Sequence, residues 1–336
     1  MLNRIRQRHV DLTFGIFQET PDLGLFGDFS RVLLSILFEA LPFVLLGSLV
    51  SGFMEVFLPS EALARILPRN RFLATLSGAT AGLALPMCEC GVVPVMRRLI
   101  RKGIPLNVAL AYMLAAPMVN PIVILSTMVA FRSMRPLTVT GLRVGLGLVI
   151  AMITSAVVTA LAGKKAHTIE LMAPVARRPS WHDGSREALG HAGRDFIEIG
   201  AFLVIGAAIS AALNVLVERN LVVQFAGQKV MATVTMMAMA LVLNLCSEAD
   251  AFVAWSFRDF SISSRLAFLV LGPILDMKLI AMYTRVFHKR TIVILCVCSA
   301  VLVFTATTLL GSLWPELSKP MPLTDAARQV QQQQLP

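Results

Sequence analysis

Residues 85–94 read Leu-Pro-Met-Cys-Glu-Cys-Gly-Val-Val-Pro and interrupt an apolar stretch that runs over 72–96. The interruption has a physical cause. Pro94 has no N–H to donate, and its ring clashes with the preceding helical turn. Gly91 admits backbone angles closed to other residues. Pro86 adds a second weak point. A helix here is predicted to unwind near Cys88 and Cys90. Residues two apart on an intact helix point about 200° apart; in an unwound stretch both thiols can face one ligand.

Outward from this stretch the chain is strongly apolar. Of 336 residues, 56% are hydrophobic and 15% charged, whereas soluble domains run at roughly half apolar and a quarter charged. Apolar windows longer than the ~20 residues needed to cross a bilayer recur. They predict helices over 31–57, 72–96, 106–131, 139–162, 195–217, 229–257, 264–284 and 291–314. The expectation is an all-α polytopic membrane protein, because helices satisfy their own backbone in lipid. The net charge of +10 comes from Lys and Arg placed between spans, where they set topology. Nucleic acid is therefore not an expected partner; the lipid bilayer is. Residues 1–30 read as a cytoplasmic arm without a cleaved signal, 163–194 as a polar cytoplasmic linker, and 315–336 as a disordered tail.

The segments before and after the linker, 31–162 and 195–314, look alike. Glu39, Phe43, Gly47 and Ser51 recur as Glu198, Phe202, Gly206 and Ser210. LALPMC, ending at Cys88, matches LVLNLC, ending at Cys246. APMVNP, with Pro117, Asn120 and Pro121, matches GPILDM, with Pro273 and Asp276. Three blocks in one order predict an internal repeat, a common plan of transporters with a midplane substrate site. Two topologies compete. Eight crossings in two parallel four-helix repeats place about 18 basic residues inside against about 11 outside. Re-entrant hairpins with inverted repeats give about 16 against 13. The charge rule favours eight crossings.

Charged groups inside spans are costly and mark function by default. Glu89, Glu248 and Asp250 flank the two cysteine breaks, and Lys278 lies two residues after Asp276. One of Glu89, Glu248 or Asp250 is a candidate proton carrier, and Lys278 is expected to pair with Asp250 or Asp276. Glu39 and Glu198 rank behind them as structural or gating groups. Cys88, Cys90 and Cys246 together offer three sulfurs, a set suited to a soft three-coordinate centre such as trivalent arsenic. Asn120, between two prolines, is a further candidate for lining the cavity. Cys296 and Cys298 lie in an uninterrupted helix and are expected to pack, as are Met231, Met236, Met237 and Met239. The five His residues lie in polar segments, so no resident metal or cofactor is expected.

The P-x-C-x-C-G-x-x-P core, the G-x-P of Gly103 to Pro105, the A-x-P-x-x-N-P of Ala115 to Pro121 and the C-S-x-A-D-A-F of Cys246 to Phe252 resemble the bacterial predicted-permease family, which includes the organoarsenical efflux permeases. The resemblance covers roughly 30–315. It implies a multi-pass inner-membrane permease, with the thiol role on Cys88 and Cys90 and the second-repeat role on Cys246 and Asp250. Members tied to arsenic export trivalent organoarsenicals. Efflux of a thiophilic small molecule or metalloid is the leading functional expectation. Transport of another solute or metal ion comes second, and a thiol oxidoreductase last, since C-x-C at mid-membrane lacks the accessible low-pKa pair such enzymes use.

Overall fold

The computed structural model describes residues 24–57, 67–85, 87–132, 135–162, 181–216, 229–257 and 260–318. The helices are α1 (Gly24–Phe57), α2 (Arg71–Thr80), α3 (Glu89–Arg101), α4 (Leu106–Val119), α5 (Pro121–Ala130), α6 (Pro136–Ala162), α7 (Trp181–Leu216), α8 (Lys229–Leu243), α9 (Asp250–Ser256), α10 (Ile262–Leu271), α11 (Met277–Tyr283) and α12 (Lys289–Leu313). Short 3₁₀ turns lie at Ala81–Leu83 and Pro315–Ser318. The protein is an all-helical, polytopic membrane protein. Five segments are long and apolar enough to span a bilayer: α1, α4 with α5, α6, α7 and α12. Phe38, Val149 and Val297, on α1, α6 and α12, point outward, as lipid-facing residues do. By contrast, α4 from Val108 to Val119 is buried on every side.

Besides 106–131, which is α4 and α5 meeting at Asn120, three of the expected spans are not single helices. The 72–96 span is α2, a 3₁₀ turn, a non-helical stretch and α3; 229–257 is α8 and α9; 264–284 is α10 and α11. The longest of these pieces, α8, has 15 residues and reaches only about 22 Å at 1.5 Å per residue, short of a ~30 Å hydrocarbon core. Two boundaries also move. The linker yields residues 181–194 to α7, and the expected arm yields 24–30 to α1. The first turn of the expected tail is the 3₁₀ segment; residues 319–336 fall outside the described residues.

Contacts fix the direction of each element. The Phe57 ring lies 4.9 Å from that of Trp181, and Ser51 Oγ donates to Asp195 at 3.0 Å. The end of α1 therefore meets the start of α7, and the two run antiparallel. Arg135 pairs with Glu316 at 3.1 Å, and Cys298 approaches Thr154 at 3.9 Å, so α6 and α12 are antiparallel as well. Lys102 donates to the Glu55 carbonyl, and Asn107 donates to Thr75 at 2.7 Å. Both ends of 71–102 thus lie at the end of the molecule where α1 finishes, and the segment turns back on itself. The second broken segment behaves likewise at the other end. Thr233 faces Ser264 at 3.3 Å, and Trp255 packs edge-on to Phe131. Eight full crossings do not fit these directions, because they would make α1 and α7 parallel. Charge counting misses this because it carries no information about which helices pack together.

Close backbone approaches dock the long helices on the broken segments. A Cβ placed on Gly47 of α1 would lie 2.5 Å from Gly91 Cα, and one on Gly206 of α7 would lie 2.5 Å from Lys278 Cα. Gly91 therefore serves close packing inside a regular helix, not unwinding.

Candidate functional site

The first break comes earlier than the prolines suggested. Pro94 lies within α3, which starts at Glu89. Cys88 is the extended residue that precedes the helix, at φ −75° and ψ 171°. Pro94 still has an effect: without its N–H, the Cys90 carbonyl lacks a helical donor. Pro86 falls outside the described residues. Pro117 lies inside α4, Pro121 opens α5, and Pro273 lies in the turn between α10 and α11.

The two tips meet inside the protein. One donor atom each from Cys88, Glu89 and Cys246 lies within 4.8 Å of the others, and all three residues are buried. Cys90 is buried too, at 1% exposure, but is not one of this trio. It sits in the first turn of α3, while Cys88 stands before the helix. Glu89 thus joins Cys88 and Cys246, while the Cys90 thiol lies in hydrogen-bonding contact with Cys88.

Charge surrounds the trio. Lys278 Nζ reaches Glu89 at 3.0 Å and Asp276 at 3.3 Å, with every partner at least 98% buried. Its third N–H donates to the Asn244 carbonyl at 3.3 Å. Ser247 Oγ donates to Glu89 at 2.8 Å. Asp276 also caps α11, accepting from the Leu279 N–H at 2.6 Å. Asn244 holds a left-handed backbone, φ 55°, a conformation in which Asn is enriched. Its side-chain amide abuts Asp276 and, turned with the nitrogen toward the carboxylate as the two acceptor oxygens there require, donates to both at 2.9 and 3.1 Å. Of the two expected partners of Lys278, Asp276 is present and Asp250 is not. Asp250 pairs instead with Arg143 of α6 at 2.6 Å, and Arg143 also binds Thr127 and the Ser247 carbonyl. Glu248 accepts from the Cys246 thiol at 2.6 Å. Half-buried Glu39 on α1 feels the charges of Lys278, Glu89 and Glu248.

Other expected residues lie elsewhere. Asn120 is buried, and its side chain accepts from the Ile122 N–H at 2.9 Å, capping α5. Glu198 pairs with Arg97 at 3.0 Å, in a separate network. There Arg98 bonds Asp195 at 2.8 and 2.9 Å and pairs with Glu55. Arg98, Glu55 and Asp195 were not foreseen as site residues, nor were Arg143 and Ser247. Arg143 had a signal, being a lone cation inside an apolar span. Arg98 had none, since it follows the apolar run like any topology charge.

A family model described as a predicted permease matches residues 25–312. The chain belongs to the predicted-permease family. Among its relatives, the Bacillus subtilis UPF0718 protein YcgR is 39% identical over 285 residues, covering 83% of this chain and 96% of that protein. A Streptococcus mutans protein described as a subunit of a two-component membrane permease complex is 31% identical over 268 residues, covering 78% of this chain and 87% of its own. No solved structure matches the chain. The permease is thus a membrane protein whose trio and surrounding charges all fall within the matched region. That assignment makes it a transporter in class.

Proposed function

We propose that this permease carries a thiophilic small substrate, such as a trivalent organoarsenical, outward across a bacterial inner membrane, binding it where the two broken segments meet. The observation that carries the reading is the buried trio of Cys88, Glu89 and Cys246, with donor atoms within 4.8 Å. Two thiolates suit a soft centre, and the carboxylate offers a third, harder donor. Asp250 and Glu89, each held by a buried cation, are the proposed proton carriers.

The reading includes an architecture. Each repeat, 31–162 and 195–314, has three crossings and one re-entrant hairpin, and the two repeats are inverted. The antiparallel pairs α1 with α7 and α6 with α12 support it, since each pair joins equivalent positions of the repeat. Labelling Arg71→Cys and Lys102→Cys should succeed from one side of the membrane, and Trp255→Cys only from the other. Labelling of Arg71→Cys and Lys102→Cys from opposite sides would restore full crossings.

The substrate test is uptake into everted vesicles, with methylarsenite compared against arsenite, zinc and thiosulfate. Cys88→Ala and Cys246→Ala should each abolish methylarsenite uptake. Normal uptake by both variants would overturn the thiol site. Asp250→Asn and Glu89→Gln should flatten the pH dependence of uptake; an unchanged profile in both would remove them as proton carriers.

A further inference from the structure

A groove opens on the side of the molecule, away from the trio. Its volume is about 970 Å³, and it lies between the loop before α2, the first turns of α2 and α4, and the second half of α6. Its walls are apolar: Phe72, Leu106, Val149, Met152, Ile153 and Ala156 line it. Phe72, Val149 and Ile153 are also among the exposed large hydrophobics, at 63, 54 and 42%, so the groove opens toward lipid. From Val149 to Ala160 it follows twelve residues of α6, about 16 Å of helix, roughly half the hydrocarbon core.

One end of this groove is basic. Arg69 and Arg71 line it, at the end of the molecule where α2 enters and α6 finishes. Both are exposed. Among the described residues, neither has an ion-pair partner, unlike Arg97, Arg98 and Arg101 nearby. The other polar residues of the groove are less available: Thr75 and Asn107 already bond each other. Two guanidinium groups without an ion-pair partner among the described residues, with an apolar channel running from them along α6, match the two ends of one kind of molecule. Arginine forks match phosphate geometry, and basic pockets between helices bind acidic head groups.

We propose that this groove binds one anionic glycerophospholipid, with its phosphate on Arg69 and Arg71 and an acyl chain laid along α6. The occupant holds the outer leg of the first hairpin against α6. The inference is independent of the transported substrate. A water-soluble phosphate would leave the apolar wall uncovered, and a neutral lipid would leave both guanidinium groups unpaired.

The test uses delipidated full-length protein and native mass spectrometry, with phosphatidylglycerol and phosphatidylcholine of identical acyl chains. Wild type should retain phosphatidylglycerol preferentially. Arg69→Ala with Arg71→Ala should lower that retention about 30-fold, the equivalent of ~1 kcal/mol per basic residue near a membrane surface. Ala156→Trp, at an exposed groove position, should fill the channel and reduce binding of both lipids with the arginines intact. Thermal unfolding of each variant reports whether the fold is kept. Equal retention of the two lipids by wild type would overturn the proposal. So would unchanged binding in Ala156→Trp, the outcome expected if residues 58–66 or 163–180 of the chain itself fill the groove.

Discussion

The two tips that meet at the centre occupy equivalent places in the chain and differ in what they bring. The first supplies Cys88 and Glu89, and a Gly91 backbone pressed on α1. The second supplies Cys246, Ser247, Glu248 and Asp250, after a left-handed Asn244. The first tip has Cys88 extended before a helix that contains Pro94, and the second follows the left-handed Asn244. The first tip's carboxylate is neutralised from the other half of the chain, by Lys278. The second tip's Asp250 is neutralised by Arg143 of the first half. Each half thus holds the counter-charge of the other, so neither tip is electrically complete alone. The chemistry of the centre is divided between the two halves of the chain.

Lys278→Met breaks that exchange most severely. It strands Glu89 and Asp276 without their cation, and losing one partner of a buried pair costs about 3–5 kcal/mol. Thermal unfolding in detergent should show a large drop, partly restored by adding Glu89→Gln. A loss below about 1 kcal/mol would mean that the exchange does not hold the tips. Gly47→Leu and Gly206→Leu sharpen the comparison of docking. Each forces a side chain into backbone contact, and overpacking of this kind costs about 1–3 kcal/mol. Equal losses would show that both long helices are docked equally tightly; a loss at one site only would show that one tip is the looser. Asn244→Gly should cost about 1 kcal/mol or less. It removes the amide donated to Asp276, worth about 1 kcal/mol, and relieves the left-handed backbone in partial compensation. Cys90→Ala should have the smallest effect, with methylarsenite uptake kept near wild type while Cys88→Ala loses it. Equal losses for the two would place both sulfurs of the first tip on the substrate.

The sequence reading located the breaks well and their partners poorly, for one physical reason. Pro and Gly act on their own backbone, so breaks near Cys88 and at Asn120 could be read locally, whereas the one near Cys246 rested on its match to the first block. An ion pair between Glu89 and Lys278 spans 189 positions, and periodicity carries no information about that distance. Arg98 shows the limit clearly. In sequence it belongs to a run of cations after an apolar segment. In the structure it is 3% exposed and gripped by Asp195 and Glu55. Charge counting treats it as a free topology charge and cannot register these partners. Glu39 and Glu198 show the reverse error: matched by the repeat, they part company in space, one facing the central charges and the other a surface-side arginine.

The glycine contacts have a mechanical consequence. With 34 and 36 residues, α1 and α7 extend about 51 and 54 Å and overhang a ~30 Å hydrocarbon layer. Each bears on one side of the central site through bare backbone, Gly47 on Gly91 and Gly206 on Lys278. No compressible side chain intervenes to absorb a displacement. The overhanging ends are therefore handles whose displacement bears directly on the backbone beside the carboxylates and thiols.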